Sequence, residues 1–405
     1  MPVRRWTGGG WSAARRAVVG IPLLSVLLVV GIAGCGPRAE PAAPPPAARA
    51  QDAGAATTVA PGELGRTDVD TEVFVPLPGR LRLPPPDSAI PAPDYAAIRP
   101  NELGKVMVLE YHVIGDEELR WTRTRENFRK DLEYLHRHGY HLVGMRDLLE
   151  DRVRVPAGKT PVVLTFDDSN RSQFQFIAGP GGQLVVDPTS GLGILEAFIE
   201  EHPDFGRAGV FCVLPGADPP NDLFGQPEHR QRKLQYLAGR GYELCNHTLW
   251  HALLDRTEAE EIVRQLALTQ KAIREAVPGY EVRVFCPPGG AYPDDLAPVL
   301  EGTHEGEHYQ HWAILEVTGG PMTAPGHRDT DFLHVPRIQA IPDQLKYWFR
   351  HFEENPDERY VSDGDPDRVV FPTALAGHIA VDLAAKAATM AEASSDPDYR
   401  VLRLR

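Results

Sequence analysis

Two adjacent carboxylates, Asp167 and Asp168, follow a run of apolar β-forming residues in the segment VVLTFDDS. A second motif, NHTLWH, also follows a strand-like run and places His247 and His251 four residues apart. In a helical turn, residues at this spacing share a face, so we expect both imidazoles to point at one ion. One aspartate with two histidines leaves coordination positions open for water and substrate, as a hydrolytic metal requires. The residues therefore predict a divalent-metal centre.

Each motif has a simpler interpretation when it is taken alone. Adjacent aspartates are common in solvated turns at strand ends. With 15 histidines in the chain, a single histidine pair is more often a surface or capping feature than a pair of ligands. The metal prediction therefore depends on whether the fold brings the two motifs to one edge.

Seven short apolar runs alternate with helix-like segments from about residue 103 onward, and they predict seven strands. The runs cover residues 106–112, 161–168, 208–216, 242–247, 282–290, 311–320 and 335–341. The helix-like segments cover residues 126–139, 193–202, 229–241 and 257–277. Alternating β and α units predict parallel strands, and a closed parallel sheet has its site at the carboxyl ends of the strands. We therefore expect an α/β fold, a distorted (β/α) barrel, with the polar motifs at one end.

The last of these helices carries the clearest local signals. Thr257 and Glu260 have the spacing of a capping box at its start. Ile262, Leu266 and Ile273 lie near one helical face, which predicts that they are buried.

The N-terminal segment indicates export. Arginines precede an apolar stretch that ends in IAGC at residues 32–35, which is typical of a bacterial export signal. IAGC resembles a lipobox, so residues 1–34 are the expected signal peptide and Cys35 the expected site of lipid attachment. A signal-anchor helix is the alternative, because the apolar run nearly reaches the length that spans a bilayer. Residues 35–102, rich in proline and alanine, predict a tether, which leaves 103–405 for the folded domain.

Composition limits the partners of the chain. A formal charge of −14 and a pI near 5.5 argue against a protein that neutralises phosphate backbones, so no nucleic-acid partner is expected. The export signal predicts an extracytoplasmic protein anchored to the bacterial cell membrane through lipid. No oligomeric state is indicated. We see no internal repeat and no second folded domain, although residues 175–191 predict a long insertion near the site.

Three cysteines remain once Cys35 is assigned to lipid. Because Cys212, Cys245 and Cys286 are odd in number, a full disulfide framework is excluded. Each lies in an apolar run, where a free thiol usually behaves as a small buried hydrophobe. A bridge between Cys245 and Cys286 is the alternative in an exported protein.

Three motifs together carry a family resemblance. TFDDS, NHTLWH and FCPPGGAYP, in this order and with a β/α rhythm between them, resemble the successive motifs of the NodB-like polysaccharide deacetylases, carbohydrate esterase family 4. YHVIG resembles the opening strand of many members, and the resemblance spans roughly residues 105–340. It implies a NodB-type barrel and a metal-dependent hydrolase that removes acetyl groups from N-acetylated sugars of a cell-wall or extracellular polysaccharide. The alternatives are an O-acetyl esterase acting on polysaccharide and a catalytically weakened carbohydrate-binding lipoprotein.

The resemblance also implies roles for individual residues. Asp167 corresponds to the general base, and Asp168 corresponds to a metal ligand, with His247 and His251 completing the set. Zinc is the expected ion, with cobalt, nickel and iron as alternatives.

Further residues are expected around the pocket. The candidate pocket-lining residues are His112, Pro287, Gly290 and Tyr292. His112 is equally expected to be a satisfied histidine at a strand end, and Pro287 is expected to shape its loop more than to touch substrate. Two large aromatic residues are candidates to stack on a sugar, namely Trp250 and Trp312. Large aromatics near strands are, however, more often core residues.

The chain departs from the family pattern at two motifs. Cys286 stands where an arginine usually pairs with the catalytic aspartate, so the pKa of Asp167 is expected to lie higher than in the family. Ser169 replaces the glycine that usually follows the aspartate pair, which predicts an altered turn.

The general acid is the least defined role. The late leucine-x-histidine motif of the family is not evident, and HVPRIQA resembles the arginine-isoleucine ending of a subgroup. The candidate acids are His327, His334 and His378, each of which is more often expected to be a surface residue.

Overall fold

The structure, a computed structural model, describes residues 93–150, 153–392, 394 and 396–404. The predicted signal peptide, Cys35 and most of the predicted tether lie outside these residues. The described residues fall within one compact unit of the chain, 72–405. In this part of the chain no helix has the length and apolar character needed to cross a membrane.

Seven parallel strands close into a ring. They are β1 (Lys105–Tyr111), β2 (Thr160–Phe166), β3 (Val210–Val213), β4 (Glu243–Asn246), β5 (Val284–Phe285), β6 (Ala313–Gly319) and β7 (Val335–Gln339). Each strand pairs in parallel with the next along the chain, and β7 returns to pair with β1. All seven predicted strands are therefore barrel strands, and the predicted (β/α) barrel is confirmed.

The strands read as continuous apolar runs because both of their faces are covered. In β1, Val106 and Val108 point into the barrel interior, whereas Met107 and Leu109 join the layer beneath the helices. Every position of β2 is buried. The alternation continues into the polar residues at the strand ends, which therefore enter the barrel mouth.

Five helices of ten or more residues lie outside the ring and precede or follow the strands as the β/α rhythm predicts. They are α1 (Arg125–Arg137), α2 (Gly191–Glu201), α3 (Arg230–Gly239), α4 (Ala259–Ala276) and α5 (Pro342–Glu354). The first four coincide with the predicted helices to within two residues at each end. A further ten-residue helix is Val381–Met390, and shorter α-helices are Tyr95–Ile98, Met145–Leu149 and Ala297–Leu300. Short 3-10 helices are Pro203–Phe205, Pro227–His229, Leu254–Arg256, Pro288–Gly290, Phe332–His334, Pro356–Glu358 and Thr373–His378.

The predicted capping box at the start of α4 is wrong. The helix begins after Glu258, whose side chain makes no capping bond, and the Thr257 hydroxyl instead donates to the carbonyl of Leu253 at 2.9 Å. Because the Thr257 hydroxyl is bonded to the residue that precedes the 3-10 helix Leu254–Arg256, it does not cap α4. The predicted buried face is confirmed, since Ile262 and its two partners are buried.

Additional strands extend or cover the barrel. Tyr140–Leu142 pairs with the start of β2, and Met322–Thr323 pairs antiparallel with the start of β1. The region predicted as an insertion contains a hairpin of Phe176–Ala178 and Leu184–Val186. Two further strand pairs are Val113–Gly115 with Thr122–Thr124 and Glu301–His304 with Glu307–Gln310. A small C-terminal sheet, which sequence analysis did not predict, contains Arg368–Pro372, Tyr399–Arg403 and Ala391–Glu392.

Candidate active site

The end of β2 turns sharply and brings two aspartates to the barrel mouth. Asp168 and Ser169 both have left-handed backbones, with φ of 75° and 42°. Neighbouring side chains of a regular strand diverge, so this break allows Asp167 and Asp168 to serve one site. Left-handed conformations are unfavourable for residues other than glycine, and other contacts must hold the turn.

Ser169 supplies those contacts. Its hydroxyl donates to the carbonyl of Asn221 at 2.9 Å and accepts the backbone N–H of Leu214 at 3.1 Å. Its own carbonyl accepts the N–H of Phe224 at 2.7 Å. The serine that replaces the family glycine therefore attaches the turn to the end of β3 and to the following loop.

The two histidines reach the same point from a turn after β4. His247 Nε2 lies 3.1 Å and His251 Nε2 lies 3.3 Å from Asp168 Oδ1. The expected helical turn is not formed, because Thr248 and His251 have φ of 65° and 67°. The predicted convergence of the two imidazoles occurs, but it is produced by two left-handed residues instead of a helical face.

These donors fit a divalent ion. His247 Nδ1 lies 2.6 Å from the carbonyl oxygen of Cys286, which can only accept, so Nδ1 carries the proton and Nε2 is free to bind. One donor atom from each of the three residues lies within 4.8 Å of the others. Burial raises the pKa of Asp168, but hydrogen bonds and charge from the two imidazoles outweigh it and hold the pKa well below its usual range. One carboxylate and two imidazoles suit a hydrolytic divalent metal, which needs further positions for water and substrate.

Asp167 lies inside the mouth in a buried ion pair with Arg337. The guanidinium donates from Nη1 to Oδ1 at 2.9 Å and from Nη2 to Oδ2 at 2.8 Å, and it has no solvent exposure. Burial raises the pKa of Asp167, but the charge and hydrogen bonds of Arg337 outweigh it and hold the pKa well below its usual range. The expectation of a higher pKa is therefore wrong. The arginine that is absent at position 286 is replaced by one from β7.

Arg337 is itself fixed on all sides. Its Nε donates to the carbonyl of Glu316 at 2.6 Å, and its Nη1 donates to Thr165 Oγ1 at 2.9 Å. Its Nη2 also lies 3.3 Å from Glu110 Oε1. Burial raises the pKa of Glu110 to about 8, although Arg337 opposes the rise. Arg337 is therefore positioned as a rigid support for Asp167.

Cys286 takes part in the same network. Its thiol lies 3.1 Å from Asp167 Oδ2 and 3.1 Å from Arg337 Nη2. Cys212, Cys245 and Cys286 are all free and fully buried, so the bridge between Cys245 and Cys286 is not formed and the prediction of buried thiols is confirmed. The three side chains belong to one apolar cluster of the barrel interior, and the thiols of Cys212 and Cys286 lie within 4.8 Å of a carboxylate oxygen of Asp167.

The residues expected around the pocket occupy different places. His112 lies at the mouth, with Nε2 3.7 Å from Glu110 Oε1, and forms with Glu110 and Asp167 a group whose polar atoms are within 4.8 Å of one another. Pro287 follows the carbonyl that orients His247. Gly290 has φ of 70°, and a Cβ there would lie 3.0 Å from a side-chain carbon of Val317.

Tyr292, in the loop after β5, belongs to a more exposed cluster. Its partners are Glu316 of β6 and His334 of the segment before β7. Its hydroxyl donates to the carboxylate of Glu316 and lies 3.0 Å from His334 Nδ1. His334 Nδ1 lies 2.9 Å from the same carboxylate. His334 is therefore the candidate acid with a defined carboxylate partner, although no contact joins it to Asp167 or to the metal ligands.

The other two candidate acids lie at the opposite end of the barrel. His327 follows Met322–Thr323, which pairs with the start of β1, and its ring stacks on His378 with centroids 5.3 Å apart. The chain is held there by the bond from the Ala324 N–H to the carbonyl of Gly104 at 2.9 Å. Neither histidine reaches the mouth, and both are excluded as acids for this site.

Sequence analysis assigned no role at the site to three residues that organise it: Arg337, Glu110 and Gln173. Arg337 is the arginine of the HVPRIQA ending, but its pairing with Asp167 was not predicted. The side-chain amide of Gln173 donates to the carbonyl of His112 at 2.7 Å and to the carbonyl of Asp167, and so joins the ends of β1 and β2. The signal for the two charged residues was their position along the strand, because Glu110 lies two residues after Val108 and Arg337 two residues after Val335, and both valines face inward. Nothing in the sequence singles out Gln173.

A closed ring of parallel strands with its polar constellation at their carboxyl ends defines the class of the protein, a (β/α) barrel. Residues 221–303 match the family model described as polysaccharide deacetylase. This segment of the chain is therefore similar to polysaccharide deacetylases, in agreement with the resemblance that the motifs carry.

One curated relative and two solved structures illustrate the similarity. A chitooligosaccharide deacetylase of Sinorhizobium fredii (strain NBRC 101917 / NGR234) is 28% identical over 85 residues, which are 21% of this chain and 39% of the relative. The match thus spans about two fifths of that protein. The structure of IcaB from Ammonifex degensii is 18% identical, with 61% of this chain and 97% of that chain covered and a TM-score of 0.45. The Streptococcus pyogenes deacetylase PplD in complex with acetate is 14% identical, with 61% and 97% covered and a TM-score of 0.45.

Proposed function

We propose that the protein is a metal-dependent hydrolase that removes acetyl groups from N-acetylated sugars of a cell-wall or extracellular polysaccharide. One observation carries the proposal: Asp168, His247 and His251 converge beside a second carboxylate, Asp167, that a buried arginine holds in place. The polysaccharide deacetylase family match and the name of the curated relative support an amide substrate on a sugar.

The residues divide the chemistry between them. Asp168 and the two imidazoles would hold the ion, which when bound polarises the acetyl carbonyl and lowers the pKa of a water. Asp167 accepts the proton of that water. Oδ2 accepts bonds from Arg337 and from the Cys286 thiol, whereas Oδ1 accepts a bond from Arg337 and keeps a second lone pair for the incoming proton.

Asp167 can also serve the second half of the reaction. The charge of Arg337 favours the ionised carboxylate, so this residue does not retain the proton that it takes from water. Asp167 therefore passes the proton on readily to the leaving amine, and the same residue serves first as base and then as acid. This route requires no separate histidine acid.

The test is acetate release from a panel of peptidoglycan, chitin oligomers, poly-N-acetylglucosamine and acetyl-xylan, with and without a chelator. Chelator-sensitive release from an N-acetylated glycan is the expected result. Release from acetyl-xylan alone would assign the O-acetyl esterase instead. Binding to glycans without release from any of them would assign a carbohydrate-binding protein.

The proposal includes the location. We propose that the chain is exported and anchored to the bacterial membrane through lipid on Cys35, on the basis of the arginines, apolar stretch and IAGC motif. Labelled palmitate should be incorporated into the wild type and not into Cys35→Ala, and the purified wild type should begin at residue 35. A wild-type protein of the membrane fraction that carries no label and keeps residues 1–34 would favour the signal-anchor alternative.

A further inference from the structure

The turn after β4, which carries the candidate ligand His251, is fixed on both sides of Leu249. The Leu249 N–H donates to Gln265 Oε1 at 3.0 Å, and the Leu249 carbonyl accepts the N–H of Gly216 at 2.7 Å. Gln265 belongs to α4, whereas Gly216 lies in the loop after β3. Leu249 lies between the two left-handed residues of the turn, Thr248 and His251. Its peptide groups therefore attach the turn to two separate elements of the barrel.

Gln265 is buried and held at both ends of its amide. The side chain has no solvent exposure, and its Nε2 donates to Glu261 Oε1 at 2.8 Å. Because a carboxylate accepts, this bond assigns the nitrogen to Glu261 and the oxygen to Leu249. The amide cannot rotate without breaking both bonds, so Gln265 presents a fixed acceptor to the turn.

His251 depends on its backbone more than His247 does. His247 is 2% exposed, and the carbonyl of Cys286 orients its Nδ1 at 2.6 Å. His251 is 45% exposed, and no hydrogen bond within the described part of the chain orients its second ring nitrogen in this way. Metal-binding imidazoles are usually oriented through the nitrogen that does not bind the ion. For His251 the orientation comes instead from the turn that carries it.

The conformation of this turn is unfavourable and needs support from its surroundings. Left-handed backbones at residues other than glycine persist where neighbouring contacts hold them. The Thr248 N–H donates to Asn246 Oδ1 at 3.0 Å, and the Thr248 hydroxyl accepts the N–H of Ala252 at 3.0 Å. These bonds close the turn locally, whereas the bond between Leu249 and Gln265 fixes it against α4. Loss of the Gln265 amide leaves the Leu249 N–H without its acceptor.

We propose that Gln265 is a positioning residue for the metal site: by holding Leu249, it places His251 beside Asp168 and so strengthens the binding of the ion. The proposal rests on the proposed function for the metal site itself. It goes beyond that function by assigning part of the metal affinity to a residue of α4 that is not a ligand. Outer partners of metal ligands typically change the affinity by about tenfold to a hundredfold.

Gln270 provides a matched control on the same helix. It has no solvent exposure, its Oε1 accepts the N–H of Val282 at 3.0 Å, and its Nε2 donates to the carbonyl of Tyr280 at 2.9 Å. Both partners precede β5, and so they lie at the amino end of the strands, away from the mouth. Each glutamine accepts one backbone N–H and donates one bond, but only Gln265 bonds to the metal-site turn.

The experiment uses the full chain after its metal has been removed by dialysis against a chelator. Zn²⁺ affinity is measured by competition with a chelator, and the visible absorption of bound Co²⁺ reports the number and geometry of the ligands. For Gln265→Leu we expect zinc binding to weaken by about tenfold or more and the cobalt spectrum to shift toward that of His251→Ala. For Gln270→Leu we expect the affinity and spectrum of the wild type. The two glutamine variants should lose similar amounts of thermal stability, because each lacks one N–H acceptor.

Gly216→Ala disturbs the same turn from the opposite side, because a Cβ there would lie 2.8 Å from Leu249 Cγ. This variant should also weaken zinc binding, and it decides the question if Gln265→Leu is not recovered in a folded form.

Wild-type zinc affinity in both Gln265→Leu and Gly216→Ala, or equal losses of affinity in the two glutamine variants, would overturn the proposal. Acetate release by the wild-type protein is measured separately. Gln265-dependent metal binding without acetate release would contradict the proposed function alone, whereas a wild-type protein that binds neither ion would contradict both.

Discussion

At the scale of residues, the arginine that pairs with Asp167 comes from a different strand than the family motif predicts. The family arginine is absent from the third motif, and Cys286 takes its place, yet Asp167 still has a bidentate arginine partner from β7. The site requires a cation beside the carboxylate of Asp167. Any inward-facing position near it in the barrel can supply that cation. The loss of a motif residue therefore does not indicate a loss of function here.

Arg337→Lys tests this exchange. Lysine keeps the charge but lacks the planar fork, so Asp167 loses its fixed orientation, and kcat should fall roughly tenfold to a hundredfold. The measurement is the steady-state rate of acetate release, with circular dichroism to verify the fold.

Cys286→Ala is the matched control for this variant. It removes one neighbour of Asp167 but leaves the arginine pair. Because a thiol is a weak donor, its hydrogen bond to the carboxylate should contribute about 1 kcal/mol, and activity should fall by less than about fivefold. If the cysteine variant lost more activity than the arginine variant, the thiol would be the principal support of the base.

At the scale of elements, the strands were predictable, but the turns that shape the site were not. Strands of a closed parallel barrel are buried on both faces, which leaves continuous apolar runs in the sequence. The convergence of Asp168 with two histidines depends instead on left-handed backbones at Asp168, Thr248 and His251. None of these is a glycine, so composition gives no sign of the turns. Long-range contacts, such as those of Ser169 with Asn221 and Leu214, hold such conformations, and no local pattern reports them.

Ser169→Ala tests how far that turn depends on its hydroxyl. The variant leaves the buried N–H of Leu214 without its acceptor, which should lower the free energy of unfolding by about 1–3 kcal/mol. Chemical denaturation measures the change. Ser169→Gly, which permits the left-handed backbone but also lacks the hydroxyl, should be destabilised less than the alanine variant. Equal stability of all three proteins would show that the hydroxyl does not hold the turn.

At the scale of the whole molecule, the loops that follow β2 and β3 are joined by a buried cation. Lys233 of α3 donates to the carbonyls of Phe174 and Phe224 at 2.9 and 2.8 Å, and its ammonium lies over both aromatic rings. The side chain has no solvent exposure. Burial lowers the pKa of Lys233 from 10.5 to about 7. Lys233 therefore joins the loops that form the outer wall of the site, and its contribution to the free energy of unfolding depends on pH.

The sign of that dependence follows from proton binding. Between about pH 7 and 10.5 the unfolded chain binds more protons at this lysine than the folded protein does, so the contribution of Lys233 to stability rises with pH across this window. The difference in unfolding free energy between the wild type and Lys233→Met should rise by up to about 1.4 kcal/mol per pH unit there, and should level off below pH 7. Denaturant titrations at several pH values measure it. A difference that is constant from pH 7 to 10.5 would contradict the assignment.

The central claim is that three residues hold an ion and that the adjacent carboxylate moves a proton. The most direct measurement is the metal content of the purified protein together with its rate of acetate release, in the wild type and in the variants His247→Ala, Asp168→Ala and Asp167→Asn. The account predicts one equivalent of a divalent ion in the wild type and in Asp167→Asn, loss of the ion in the other two variants, and loss of acetate release in all three. A wild-type protein without stoichiometric metal, or an Asp167→Asn variant that releases acetate at the parent rate, would contradict it.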